Sequence, residues 1–263
     1  MAKHRYFLNR FYHVVSSGTD QGVRQSVLHS EILYYSVSKL DKKTPSQETP
    51  RNSTRAAAEM LASSYGKQFT WELDRRVLGT PDFDAARTIV ESLGLPITPS
   101  ECMEKLNKIC GEYYHDCDLM PGAERLLRHL KAHGVPMAVA TSTTPALFDL
   151  KMSRHRDLVP LFHHVVCTGG GTKVKRGKPH PDIFLLAASM FDEKPPSEKV
   201  LVFEDAPMGV TAALAAGMQV VMVPDPRVDE ENRRRATVCL GSLLEFKPQM
   251  FGLPPFDETS RKG

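Results

Sequence analysis

Between Leu119 and the C-terminus the chain repeats one alternation, in which short apolar runs rich in Val are followed by segments whose apolar residues recur at helical spacing. Val135 to Thr141, His163 to Thr168, Val200 to Asp205 and Gln219 to Pro224 are apolar on both faces. That is the pattern of strands buried in a parallel sheet. Between them, helices are predicted over Gly122 to His133 (Leu126, Leu127 and Leu130 on one side), Asp182 to Phe191, and Gly209 to Ala216 before Gly217. Strand and helix taken in turn predict a doubly wound α/β layer that binds ligands beyond the carboxyl ends of its strands.

Upstream, from Ala56 to about Cys117, the pattern is helical throughout. Thr98-Pro99-Ser100-Glu101 reads as a helix start, with Thr98 as cap, Pro99 at the first position and Glu101 closing a capping box. Cys102, Leu106 and Cys110 then fall on one face, with Ile109 beside them. Thr80-Pro81 opens a second segment that aligns Ala85, Ile89 and Leu93 and ends near Gly94. The first 55 residues differ again. Short apolar runs, Phe11 to Val15 and Ile32 to Tyr35, precede a polar stretch, Lys42 to Arg55, that reads as a flexible connection. The expected organisation is an atypical, partly flexible N-terminal segment over 1–55, a helical cap over 56–117, an α/β core over 118–255 and a tail over 256–263.

Composition adds limits rather than detail. With 263 residues, 41% hydrophobic and 25% charged, the chain can bury one sizeable core, or a core and a satellite. A net charge of +3, spread among nearly equal numbers of acids and bases, gives no nucleic-acid footprint. No apolar run approaches the roughly 20 residues needed to span a bilayer. Five cysteines without C-x-x-C spacing fit a reducing compartment, so a cytoplasmic location is expected. The start carries Lys3, Arg5 and Arg10 but no secretory apolar core, and is at most a weak match to a mitochondrial transit peptide. A monomer is expected.

Three motifs place chemistry at strand ends. At Met137-Ala138-Val139-Ala140-Thr141-Ser142-Thr143-Thr144, hydroxyls appear where the strand stops. They suit either a phosphoryl oxygen or a helix cap. Gly177-Lys178-Pro179-His180-Pro181 fixes a lysine between a glycine and a proline just before a helix, where it is either an aimed ammonium or a surface turn. Leu201-Val202-Phe203-Glu204-Asp205 ends an apolar strand in two carboxylates that must be neutralised, as Mg²⁺ would do. Gly209 would let the next helix pack closely. His155, His163, His164 and His180 have no metal spacing, and the basic loop Gly169 to Arg176 has no Walker pattern.

In this order the three motifs resemble the second to fourth motifs of the haloacid-dehalogenase (HAD) superfamily. Phe203 to Pro207, Ala212 to Asp225, Leu119 to Glu124, Ser153-Arg154-His155, the region around Trp71 and the closing Phe251-Gly252-Leu253-Pro254-Pro255 resemble its pseudouridine-5'-phosphatase branch. The likeness covers about three quarters of the chain. It implies a HAD-like α/β core with a small helical cap, and a Mg²⁺-dependent phosphomonoesterase acting on a small phosphorylated metabolite. It further implies that Thr141 (hydroxyl) and Ser142 (backbone N–H) bind phosphate, that Lys178 neutralises it, that Asp205 ligates Mg²⁺ and that Glu204 supports the metal shell. The family's first motif, a strand followed by Asp-x-Asp-Gly, is absent. Its slot falls near Asp41-Lys42-Lys43-Thr44, by count from Trp71. The two Asp-x-Asp triplets, Asp82-Phe83-Asp84 and Asp116-Cys117-Asp118, lie in a helix start and a linker. The nucleophile is thus unassigned, and residues 1–55, read as a substitute for the usual start, are expected to cost the sheet its central strand unless Phe11 to Val15 replaces it. The readings that follow are an impaired hydrolase, a non-catalytic phosphate-binding or interaction protein, or an unstable product.

Overall fold

A computed structural model describes residues 32–35, 53–77, 80, 82–113, 118–168 and 173–257. Its centre is a parallel sheet of six strands: β1 (Ile32–Tyr35), β2 (Met137–Thr141), β3 (His164–Cys167), β4 (Val200–Glu204), β5 (Gln219–Met222) and β6 (Val238–Cys239), in the spatial order β3-β2-β1-β4-β5-β6. Among the described residues five helices lie in sequence between β1 and β2, the first four being α1 (Ser53–Ser64), α2 (Trp71–Val77), α3 (Asp82–Leu93) and α4 (Pro99–Tyr113). The rest alternate with strands: α5 (Ala123–Ala132), α6 (Pro145–Lys151), α7 (Asp182–Ser189), α8 (Pro207–Ala215) and the short α9 (Glu230–Arg233). The chain is α/β and doubly wound, with a helical cap, as its pattern predicts.

The centre of the sheet corrects the sequence reading. Ile32–Tyr35 occupies the place expected to be empty, pairing Tyr35 with Val139 of β2 on one side and with Phe203 of β4 on the other. Phe11 to Val15 and Asp41 to Thr44 lie outside the described residues. Strand order reverses between β1 and β4, and in doubly wound sheets the crevice at such a reversal takes the ligand.

Alternation along each strand builds two cores. Met137 and Val139, Leu201 and Phe203, and Val221 face one apolar cluster, which continues into α5 and the cap. Ala138 and Ala140, Val200 and Val202, and Val220 and Met222 face the other, against α7 and α8. Both sheet faces are therefore covered, which is why the strands read as unbroken apolar runs. On α5, Leu126, Leu127 and Leu130 are buried, each contributing about 1.5–3 kcal/mol.

In the cap, the Thr98 N–H donates to Glu101 Oε2 at 2.7 Å and the Glu101 N–H to Thr98 Oγ1 at 3.2 Å, the reciprocal box the sequence announces. Cys102, Leu106 and Cys110 are buried below it. On α3 the buried face is Ala86 and Ile89, with Ala85 and Leu93 at its margin, and the chain leaves through Gly94 at φ 59°. Burial pushes the thiols of Cys102 and Cys167 up to about 11, so neither is a ready nucleophile. No described helix is long and apolar enough to cross a membrane.

Candidate active site

The carboxyl ends of β2 and β4 flank the end of β1, and three of the sequence motifs meet there. At the end of β2, Thr141 is buried, and its Oγ1 accepts from the Thr143 N–H at 3.2 Å. Thr144 takes the helix-capping role, accepting from the Leu147 N–H at 3.4 Å ahead of Pro145. Capping is thus done by Thr144 and leaves the hydroxyls of Thr141 and Ser142 for other work. The Ser142 carbonyl accepts from the hydroxyl of Thr168, just past β3, while Ser142 Oγ is buried with no hydrogen-bond partner.

Lys178 is buried. Its ammonium donates to Glu204 Oε1 at 2.5 Å and to the Ala140 carbonyl at 3.4 Å, and it lies 4.9 Å from the centre of the Phe184 ring. The alternative of a surface turn is therefore excluded by position. Glu204, at the end of β4, uses its second oxygen to accept from the N–H groups of Asp205 (3.0 Å) and Ala206 (3.4 Å). Burial pushes the Glu204 carboxyl up, Lys178 pulls it down, and Asp205 beside it adds to the rise. Pairing with Lys178 is what lets a charge sit here at all.

Gly209 explains how the carboxylate fits. A Cβ at that position would lie 2.1 Å from Glu204 Cδ, so the first turn of α8 closes over the carboxylate only because residue 209 has no side chain. The close approach is to Glu204, and not to the sheet in general.

Lys178 pairs with Glu204, and Asp205 is buried next to them in the sequence. Among the described residues no three His, Cys, Asp or Glu side chains come together as a ligand set, and Glu204 is already committed to Lys178 and its own backbone. That donor set suits a hard cation held through Asp205 and completed by phosphate oxygens and water, the way Mg²⁺ is commonly bound. The histidines do other things: His163 and His164 pack on Phe191, and His164 Nε2 lies 3.0 Å from the Ala187 carbonyl. Lys173, Lys175 and Arg176 are exposed, with Arg176 paired to Asp182 at 3.0 Å, in keeping with a solvated loop.

The cap meets the core through a cluster that the sequence did not announce. Arg227, in the loop after β5, lies 4.1 Å over the Trp71 ring and is held by both oxygens of Asp225, at 2.9 and 3.0 Å. Arg55 approaches the same ring at 5.8 Å and donates to Asp74 at 3.3 Å, and Arg75 pairs with Asp229 at 3.4 Å. Nothing local to α1, α2 or that loop predicts these contacts.

Residues 47–217 match the family model described as haloacid dehalogenase-like hydrolase. The chain is 46% identical over 202 residues to a Drosophila melanogaster protein named "Probable pseudouridine-5'-phosphatase", covering 77% of this chain and 87% of that one. It is 43% identical over 205 residues to (DL)-glycerol-3-phosphatase 2 of Arabidopsis thaliana, covering 77% and 85%. Among solved structures, β-phosphoglucomutase from Clostridium difficile shares the fold at a TM-score of 0.65 and 20% identity, over 84% of this chain and 95% of that one.

Proposed function

The chain belongs to the haloacid dehalogenase-like hydrolase family, related to pseudouridine-5'-phosphatase and sugar phosphatases, and from that premise we propose that its strand-end site binds the phosphoryl group of a small phosphorylated metabolite but lacks the aspartate that would attack it. The observation that carries this reading is the register of β1. Tyr35 is the partner of both Val139 and Phe203, and the next residues in the sequence are Ser36, Val37 and Ser38. On this reading the slot of the family's Asp-x-Asp, counted from the end of β1 and not from Trp71, falls at Ser36-Val37-Ser38 rather than near Asp41.

In this reading the Thr141 hydroxyl and the Ser142 N–H donate to phosphoryl oxygens, and the Lys178 ammonium balances their charge. Glu204 holds the Lys178 side chain in place. Asp205 would hold Mg²⁺, which phosphatases of this family generally use and which, when bound, supplies positive charge against the phosphoryl oxygens. The cap excludes water over the bound ligand. A serine hydroxyl with no adjacent base is a poor nucleophile. Turnover is expected to fall by something on the order of 10⁶, the scale seen when a protease loses its nucleophile. The named relatives support a sugar-phosphate type of metabolite, with pseudouridine 5'-monophosphate the first to try.

The test is phosphate release from pseudouridine 5'-monophosphate by the purified chain, with and without Mg²⁺, together with calorimetric binding of inorganic phosphate. Binding without release is the expected result. Mg²⁺-dependent release that Asp205→Ala abolishes would overturn the impairment, and absence of phosphate binding to a cooperatively folded sample would overturn the site.

A further inference from the structure

The cap is seated on the α/β layer at two places of opposite character. At one, a Cβ on Gly111 of α4 would lie 3.8 Å from Leu150 of α6, and buried Cys110 of α4 and Phe148 of α6 belong to one apolar cluster. At the other the contact is charged and partly open to water: Arg227 lies over the Trp71 ring of α2, pinned by Asp225, and Arg75 reaches Asp229. Asp225 to Asp229 belong to the loop after β5. That loop sets out from the site, since the Val223 N–H donates to the Glu204 carbonyl at 2.8 Å. α6 follows β2 and the charged loop follows β5, and in the strand order β1 and β4 lie between them. The cap therefore bridges the strand-end site from one flank to the other.

The two contacts differ in what it takes to part them. Separating apolar side chains exposes them to water in full, whereas a half-exposed guanidinium over an indole holds weakly enough to break and re-form. The Arg75–Asp229 pair, with both side chains exposed, adds little. Arg227 is nonetheless aimed in advance. Its backbone N–H donates to Asp225 Oδ1 at 2.9 Å, and its guanidinium donates to both Asp225 oxygens, so its own loop fixes the side chain without help from the cap. On the cap side, burial pushes the carboxyl of Asp74 up, while Arg55 and then Arg227 pull it down. Charge as well as the ring thus draws Arg227 to α2.

We propose that Arg227 is a positioning residue: with Trp71 it forms a releasable latch, on the flank opposite the α4–α6 contact, that sets how often the cap lifts from the strand-end site. In this role the latch joins cap to core and leaves the ligand untouched. It therefore favours the closed form of the empty and the loaded protein alike. Weakening it speeds ligand entry and exit together and leaves affinity unchanged, whereas damage to the fold or to the site lowers stability or affinity. The part of this inference that concerns ligand exchange rests on the phosphate reading above.

The experiment compares the full chain with Arg227→Gln and Arg227→Lys in two measurements. The first needs no ligand. Amide hydrogen exchange over Ser142–Thr143 and Asp205–Ala206 should run about threefold to tenfold faster in Arg227→Gln, the scale of one cation–π contact, while exchange in α4 and the urea midpoint stay as in wild type. Arg227→Lys keeps the charge but not the fork that Asp225 holds, should fall between the two, and carries the test if the glutamine variant does not fold. The second follows inorganic phosphate by calorimetry and by phosphorus NMR exchange. In Arg227→Gln both rates should rise by the same factor, with Kd unchanged. Strand-end exchange that matches wild type, or phosphate affinity that falls with no gain in rate, overturns the latch while the phosphate site stands. Failure of wild type to bind phosphate overturns the phosphate reading, and the hydrogen-exchange result then decides the latch alone.

Discussion

β1 and β4 are hydrogen-bonded neighbours of nearly equal length, and they end in opposite ways. β4 delivers Glu204 and Asp205 into a buried setting in which Lys178, two backbone amides and the bare backbone of Gly209 accommodate the charge. β1 ends at Tyr35, and the sequence continues Ser36-Val37-Ser38 without a carboxylate. The difference separates two demands on one position. Membership of the sheet asks only for apolar, β-favouring residues and partners in register, and Ile-Leu-Tyr-Tyr meets it. Catalysis asks for one particular side chain just beyond the strand, and the apolar pattern does not supply it.

The strongest way to break that contrast is to make the end of β1 resemble the family's. Ser36→Asp with Ser38→Asp is expected to raise Mg²⁺-dependent release of phosphate from pseudouridine 5'-monophosphate by several orders of magnitude. A double variant as inert as the parent would mean that the end of β1 is not where attack is launched. Next in size is the β4 side. Glu204→Gln removes the carboxylate that the buried Lys178 pairs with and should lower stability by about 3–5 kcal/mol in urea unfolding, whereas a change below 1 kcal/mol would show that the pair is not sealed as described.

Asp82 sharpens the contrast from another side, because one of its carboxylate oxygens, Oδ2, is buried without a hydrogen-bond partner. Its folded-state value, about 6, lies above the ordinary 3.8. Any stability linked to its proton is therefore present below about pH 4 and lost as pH rises through 6. Measured against Asp82→Asn, wild type should lose ground between pH 4 and pH 7, by at most about 3 kcal/mol. A difference in melting that does not vary with pH would show that the carboxyl titrates normally. The smallest effect is expected at Gly209→Ala, which pushes a methyl group into the Glu204 carboxylate and should cost about 1–3 kcal/mol, with phosphate binding reduced in parallel.

Much of this was legible beforehand, for reasons that can be named. β2, β3, β4 and β5 declared themselves because both their faces are buried, so each is a Val-rich run. The box at Thr98 and Glu101 is a local signal and was read locally. Lys178, Glu204 and Asp205 stood out as charges set against apolar sequence, although their pairing did not. That Glu204 is turned to Lys178 is a tertiary fact, as is the opposing charge that Lys151 exerts on Asp82, two residues far apart in the sequence. β1 escaped as a strand because four apolar residues between polar neighbours acquire that identity only from β2 and β4, far along the chain. The two-residue β6 and the Trp71–Arg227 contact depend on distant partners in the same way.

The register of the central strand also bears on how the protein is made. Tyr35 leaves the ribosome early, but its partner Phe203 is synthesised much later, on the order of ten seconds or more at ordinary translation speed. Until Val139 is made Ile32–Tyr35 is an apolar segment with neither neighbour, and until Phe203 is made it still lacks one, the kind of exposed strand that aggregates or recruits a chaperone. Yield in the cell should therefore depend on how well the nascent N-terminal region is shielded, as well as on how stable the finished fold is.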